Sequence, residues 1–198
     1  MSPSPTNAVS CATCHSASSS PSDHILAGGS LLGVSNRESF FGGRERDVRA
    51  AINYCLRRFM RHPSLEPLSE ADARGLDLLS YLDTLEGPSD SVPWTVSLVN
   101  DNLPAGDSTR GEALYDRACR SCHGDTNTGA GRLTQFIAAI PTDTIEEHAD
   151  FARLISIQKV RAGGFYGLGG DMAPFAPEVL SDQQLADIIA YLFVGYAE

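Results

Sequence analysis

Long apolar stretches are missing from this 198-residue chain, and no run approaches the ~18 residues that a membrane-spanning helix needs. Positive charge is scarce as well. Lys and Arg total 15 against 25 Asp and Glu, a formal net charge of −10, which repels polyanions and excludes nucleic acid as a natural partner. No alternation of strands and helices marks a βαβ unit. Hydrophobic residues make up 42% and charged residues 20%, a globular composition of neither disordered nor fibrous type. The length suits one ordinary domain or two small ones. Among the scarce residue types are five cysteines, five histidines and three methionines, and nearly all of them find a chemical use.

Four of the cysteines form two close pairs, each followed at once by a histidine: Cys11-Ala-Thr-Cys14-His15 and Cys119-Arg-Ser-Cys122-His123. CxxCH is the attachment signature for a c-type haem. Two thiols bond covalently to one macrocycle, and the imidazole of the next residue reaches its iron from the proximal side. Zinc ribbons also use CxxC pairs, but spaced by roughly 15–20 residues rather than placed at 11 and 119. A thioredoxin-like redox pair would want a βαβ context, and structural disulfides would not place a histidine identically twice. The sequence therefore predicts two haem c groups with their iron, one per half. Lys159 is the sole lysine, which argues against a lysine-ligated haem.

Residues 1–10 are rich in serine and proline and read as a flexible tether. Attachment of haem to CxxCH takes place outside the bacterial cytoplasm. The expected location is therefore periplasmic or otherwise extracytoplasmic, with an export signal or lipid anchor expected beyond this sequence.

In the second half, Asp107 or Ser108 can cap a helix running into Cys119. A glycine-rich stretch, Gly163 to Gly170, precedes Asp171-Met172-Ala-Pro174. Ser181 with Gln184 makes a capping box for a last helix, in which Leu185, Ile188, Ile189 and Leu192 share one face. Helix, CxxCH, methionine loop and terminal helix resemble the all-helical class I cytochrome c fold over about 107–196. That resemblance implies Met172 as the distal ligand of the second haem, where a thioether raises the reduction potential. The first half repeats the scheme. Met60 precedes Leu68-Ser69-Glu70 at the offset that separates Met172 from Leu180-Ser181-Asp182. A helix from Ser69 is expected to bury Leu78, Tyr81, Leu82 and Leu85. The usual amino-terminal helix is not foreseen before Cys11. The predicted fold is thus all-α, with two class I cytochrome c-like domains at 11–87 and 107–198. A linker over 88–106 carries Trp94.

Cys55 is left over. It falls on the apolar face (Val48, Ile52, Cys55, Leu56, Phe59) of a helix expected from about Glu45 to Met60, ended by His62-Pro63. The internal repeat favours Met60 as distal ligand of the first haem. The segment from Ile52-Asn53-Tyr54-Cys55 to Pro67-Leu68-Ser69-Glu70 is locally similar to thiosulfate-oxidising dihaem cytochromes and to the haem subunit of the sulfur-oxidation complex. That resemblance implies Cys55 instead. His62, His24 or water are the remaining options, and a buried free thiol the plain one. A thiolate lowers the potential and a methionine raises it, so the choice bears on function.

Seven of the 15 basic residues, Arg37, Arg44, Arg46, Arg49, Arg57, Arg58 and Arg61, lie in 37–61. Arginine forks suit haem propionates and nearby carboxylates, and the alternative is a small anion near the first haem. Asp143, Glu146, Glu147, Asp150, Asp182 and Asp187 read as a solvated face that would steer a basic redox protein. His24, His62 and His148 read as surface or hydrogen-bonded side chains. The expectation is a dihaem electron-transfer protein. The alternative is an oxidoreductase of a small sulfur oxyanion, of thiosulfate dehydrogenase type, with the first haem as active site. A haem-based sensor of small ligands would need an open distal position.

Overall fold

A computed structural model of the chain describes residues 8–18, 23–60, 67–90, 93–95, 102–164 and 171–196. All regular structure among them is helical, apart from one isolated bridge between Phe40 and Glu45. The all-α expectation holds in that form. The chain divides into two compact units, Met1–Ser22 with Gly28–Thr95, and Asp23–Ala27 with Val96–Glu198. Trp94, from the stretch read as a linker, groups with the first unit, and its ring packs 5.8 Å from that of Phe41.

In the second unit α4 (Ser108–Ala118) starts at Asp107, whose carboxylate accepts from Arg110 N, and leads into the short α5 (Arg120–His123). It is numbered after the first unit's α1 (Cys11–Cys14), α2 (Val48–Cys55) and α3 (Ala73–Asp83). Next come α6 (Thr142–His148), α7 (Ala152–Ala162) and α8 (Asp182–Leu192). The Ser181–Gln184 capping box is present at the start of α8. Leu185, Ile188, Ile189 and Leu192 are all buried, with Tyr115, Phe175 and Leu180 in the same core. Helices α4 and α8 lie backbone to backbone, because a Cβ on Gly111 would run into the Asp187 carbonyl. Their ends are tied by Asp187, only 2% exposed. Its carboxylate accepts two bonds from Arg110 (2.8 and 2.9 Å), one from Asp107 N and one from Gln183.

That network corrects the reading of the acidic residues as one solvated face. Asp187 is internal, Asp182 holds Arg161 at 2.7 Å, and Asp143 accepts from Ala139 N. Of the six, only Glu146, Glu147 and Asp150 stand exposed. A carboxylate prefixed to an apolar helix face looks polar in sequence, yet it is buried when a guanidinium arrives to pair it.

The first unit has a smaller core. Leu56, Met60 and Leu68 form it, with Val9, Ile52 and Leu78 against it. Helix α2 begins later than foreseen, at Val48, since Asp47 caps it and Glu45 is occupied in the bridge to Phe40. After Cys55 the helix widens to a π-helical turn over Leu56–Met60. Helix α3 is capped by Asp72 rather than Ser69. Leu82 is buried, but Tyr81, expected inside, is 51% exposed. Its counterpart Tyr191 in α8 packs on Tyr115 of α4 at 5.7 Å. Among residues 8–10 no helix precedes Cys11 to offer Tyr81 the same partner.

Candidate functional site

In the second unit the chain turns once more after α4, so that Cys122 N and His123 N both bond back to Cys119 O (3.1 and 2.9 Å). The two thiols therefore lie one helical turn apart on one side, which is the spacing a single macrocycle requires. Burial pushes the Cys119 thiol up to about 12, reinforced by Cys122. His123 Nδ1 donates to Ala138 O at 3.0 Å. A carbonyl only accepts, so Nδ1 carries the proton and Nε2 keeps its lone pair for a metal. Burial also lowers the His123 pKa, against the Ala138 bond that raises it, and so favours the neutral ligating form.

Folding of the next loop supplies that carbonyl. Gly124, at φ +70°, reverses the chain where a Cβ would strike Ala130 O, and Tyr115 donates to Gly124 O at 2.8 Å. Leu133 N then bonds to Cys122 O, and Arg132 holds Ile137 O, which brings Ala138 over the imidazole. Met172 is half-buried against the core cluster that contains Cys119. Its own carbonyl accepts from Gly164 N, and Phe175 N bonds to Val160 O. Residues 165–170, from the glycine-rich approach, lie outside the described residues.

The first unit makes the proximal arrangement again by a different route. His15 Nδ1 donates to Gly29 O at 2.7 Å. The ring lies flat on Gly28, where a Cβ would collide with the ring's Cε1 and sit 2.5 Å from Nδ1. Loop 28–33 is fastened by Gly28 N to Cys14 O, Leu31 N to Ser16 O and Gly33 N to Leu85 O. Arg37 clasps it, donating to Ser30 O and Leu32 O at 2.7 Å each. His15 is likewise shifted down, first by burial and also by the Arg37 charge, with the Gly29 bond opposing. Helix α1 presents Cys11 and Cys14 one turn apart, His15 N bonding to Cys11 O.

Cys55 and Met60 part company here. The Cys55 thiol is pushed up to about 12, by burial first and then by the neighbouring Cys14 and Cys11. It therefore lies within electrostatic reach of the first CxxC pair. Tyr54, next to it, lies close enough to Arg58 and Arg44 to feel both charges. Met60 is 4% exposed, enclosed by Leu56 and Leu68. Of the other options, His24 groups with the second unit, while His62 lies outside the described residues.

Both places fit a haem. Besides paired thiols and a tied imidazole, each unit has buried polar atoms with no hydrogen-bond partner among the described residues. They include Arg37, Arg49 and Arg58 Nε in the first unit, and Gln158 Oε1 and Arg161 Nε in the second. Buried polar atoms are rarely left unpaired, and guanidinium donors suit propionate groups. Among the described residues no three His, Cys, Asp or Glu side chains gather to hold a bare ion. Sequence reasoning missed Gly28, Gly29 and Ala138, since a carbonyl or a close approach leaves no mark on one sequence. Arg37 was one arginine among seven. Arg161 had only a faint signal, a charge on the buried side of α7.

The helical unit, its CxxCH turn and its backbone-tied imidazole fit a c-type cytochrome domain. Residues 106–192 match the family model described as cytochrome C oxidase, cbb3-type, subunit III. No curated protein matches the chain. The family match supports a c-type cytochrome, an electron-transfer haem protein with haem c bound covalently through its iron-bearing macrocycle. Such domains are usually extracytoplasmic, and no helix among the described residues is long and apolar enough to cross a membrane.

Proposed function

We propose that the chain is a dihaem c-type cytochrome relaying single electrons outside the cytoplasm, in the periplasm or at the cell surface. Cys11, Cys14 and His15 hold one haem. Cys119, Cys122 and His123 hold the other, with Met172 as its distal ligand. The observation that carries this is the repeated proximal bond, His15 to Gly29 O and His123 to Ala138 O, which leaves Nε2 aprotic in both units. When bound, each haem supplies one-electron chemistry. The protein fixes the imidazole, excludes water and sets the potential through its ligands and charges. A redox protein with a basic docking face is the partner favoured by the exposed acids Glu146, Glu147 and Asp150. The test is the ratio of haem to protein, with Cys11→Ala/Cys14→Ala and Cys119→Ala/Cys122→Ala beside the wild type. Two haems per chain, falling to one in each double variant, is the expected result. One haem in the wild type refutes the reading.

A second reading, oxidation of a small sulfur oxyanion at the first haem, is favoured by Cys55. Its thiol feels Cys14 and Cys11, and the adjacent Tyr54 feels the charges of Arg58 and Arg44. Thiolate ligation by Cys55 rather than thioether ligation by Met60 would give the first unit the lower potential. Electron paramagnetic resonance of oxidised Cys55→Ala and Met60→Ala decides between the ligands. Thiosulfate turnover with an artificial acceptor, no faster than with free haem, would count against this second reading.

A further inference from the structure

The loop bearing Met172 is tethered by a charge placed where charge is costly. Arg161, on α7, is 1% exposed and among the largest fully buried side chains described. Its Nη1 donates to Phe175 O (2.9 Å) and Leu180 O (2.7 Å), and its Nη2 to Asp182 Oδ1 (2.7 Å). Those partners are spread along the loop. Phe175 follows Met172 by one short step, Leu180 ends the loop, and Asp182 opens α8.

The backbone bonds from α7 and the turn after it reach the near end of the loop. Gly164 N donates to Met172 O, and Val160 O accepts from Phe175 N. Beyond that point the loop's backbone closes on itself in internal turns, Val179 N and Leu180 N both donating to Ala176 O. Arg161 thus fixes the length and direction of 175–180 between α7 and the first turn of α8. An apolar side chain of similar volume would fill the same space without a desolvation cost, but it would grip no carbonyl. A rigid planar fork holds two carbonyls from one nitrogen and a carboxylate from another in fixed directions, a span that the single nitrogen of a lysine does not reproduce.

We propose that Arg161 is the positioning residue that keeps the Met172 thioether on the iron of the second haem. The inference rests on the reading of Met172 as distal ligand. Arg161 touches neither the sulfur nor the metal; it acts through the loop.

The experiment uses the full haem-loaded chain in the ferric state, with Arg161→Gln, Arg161→Lys, Asp182→Asn and Met172→Ala. The sulfur-to-iron charge-transfer absorption and the affinity for added imidazole are read, with helix content followed by circular dichroism. The component of the band that Met172→Ala removes defines the signal. Arg161→Gln is expected to lose that component and to bind imidazole at least about tenfold more tightly, because the competent methionine-bound state is no longer favoured. Arg161→Lys falls between, and Asp182→Asn stays within about twofold of wild type, since both carbonyl bonds survive. A wild-type band and imidazole affinity in Arg161→Gln, alongside loss of the band in Met172→Ala, overturns the inference. Retention of the band in Met172→Ala instead overturns the ligand reading beneath it. If Arg161→Gln fails to fold, Arg161→Lys is judged alone by the same criteria, a wild-type result again overturning the inference.

Discussion

In the second unit the CxxCH turn grows out of α4, an 11-residue helix whose other side is packed on α8. In the first unit the turn follows Ser10 directly, and α3, the element corresponding to α8, shows Tyr81 and Leu76 to solvent. The same thiols and the same imidazole hydrogen bond are nevertheless produced in both. A pairing of helices supports the second site. A looped clamp supports the first, with Gly28 beneath the His15 ring and Arg37 across the carbonyls of Ser30 and Leu32. The proximal geometry therefore needs one turn of helix and one carbonyl, and different scaffolds can deliver them. What the scaffold alters is the distal side and the margin of stability.

The contrast can be broken most directly at Gly28. Replacing it by alanine drives a methyl group into the imidazole, and the first unit is expected to lose ~2–4 kcal/mol of stability or to release His15 from its ligating pose. Resonance Raman or paramagnetic resonance would show a high-spin component confined to the first haem. An unchanged low-spin spectrum would mean that the clamp yields freely.

A smaller effect is expected at Asp187, which has no counterpart described in the first unit. Bonds from Arg110, together with Asp107 N and Gln183, hold its carboxyl at about 2 against the ordinary 3.8, burial opposing. The folded value lies below the unfolded one. Its contribution is therefore complete above about pH 4 and is lost as the pH falls through about 2. Asp187→Asn should cost the second unit ~1–3 kcal/mol at neutral pH, the range for hydrogen bonds to a charged group. It should also flatten the decline of denaturant stability between about pH 4 and 2. A variant that keeps the wild-type slope would place the acid sensitivity elsewhere.

The finest contrast lies between the two corresponding tyrosines, Tyr191 and Tyr81. Tyr191→Ala removes a ring packed on Tyr115 and should cost ~2 kcal/mol, whereas Tyr81→Ala should stay within ~0.5 kcal/mol. Equal losses in chemical denaturation would show that α3 has a cover like that of α8.

Much of the second unit was legible because local rules and packing agree there. Asp107 caps α4, Ser181 and Gln184 box α8, and the apolar face of α8 is buried as its spacing required. Tyr81 was misplaced because the internal repeat carried over a partner helix that the described residues of the first unit do not display. Asp187 was misplaced because pairing with Arg110 across 77 positions leaves no local trace. The thiols and imidazoles were readable as a motif. The carbonyls of Gly29 and Ala138 that orient them were not, since any residue has a carbonyl and only the fold selects one. Cys55 and Met60 were both visible as sulfur donors, and their surroundings then separate them, the Cys55 thiol within electrostatic reach of Cys14 and Cys11 and Met60 among aliphatic side chains.

The most direct measurement is a potentiometric titration of the whole chain with haem quantified in the same sample. Two one-electron components of equal amplitude are predicted, one of them moving down in Met172→Ala. A single component with one haem per chain would contradict the dihaem reading.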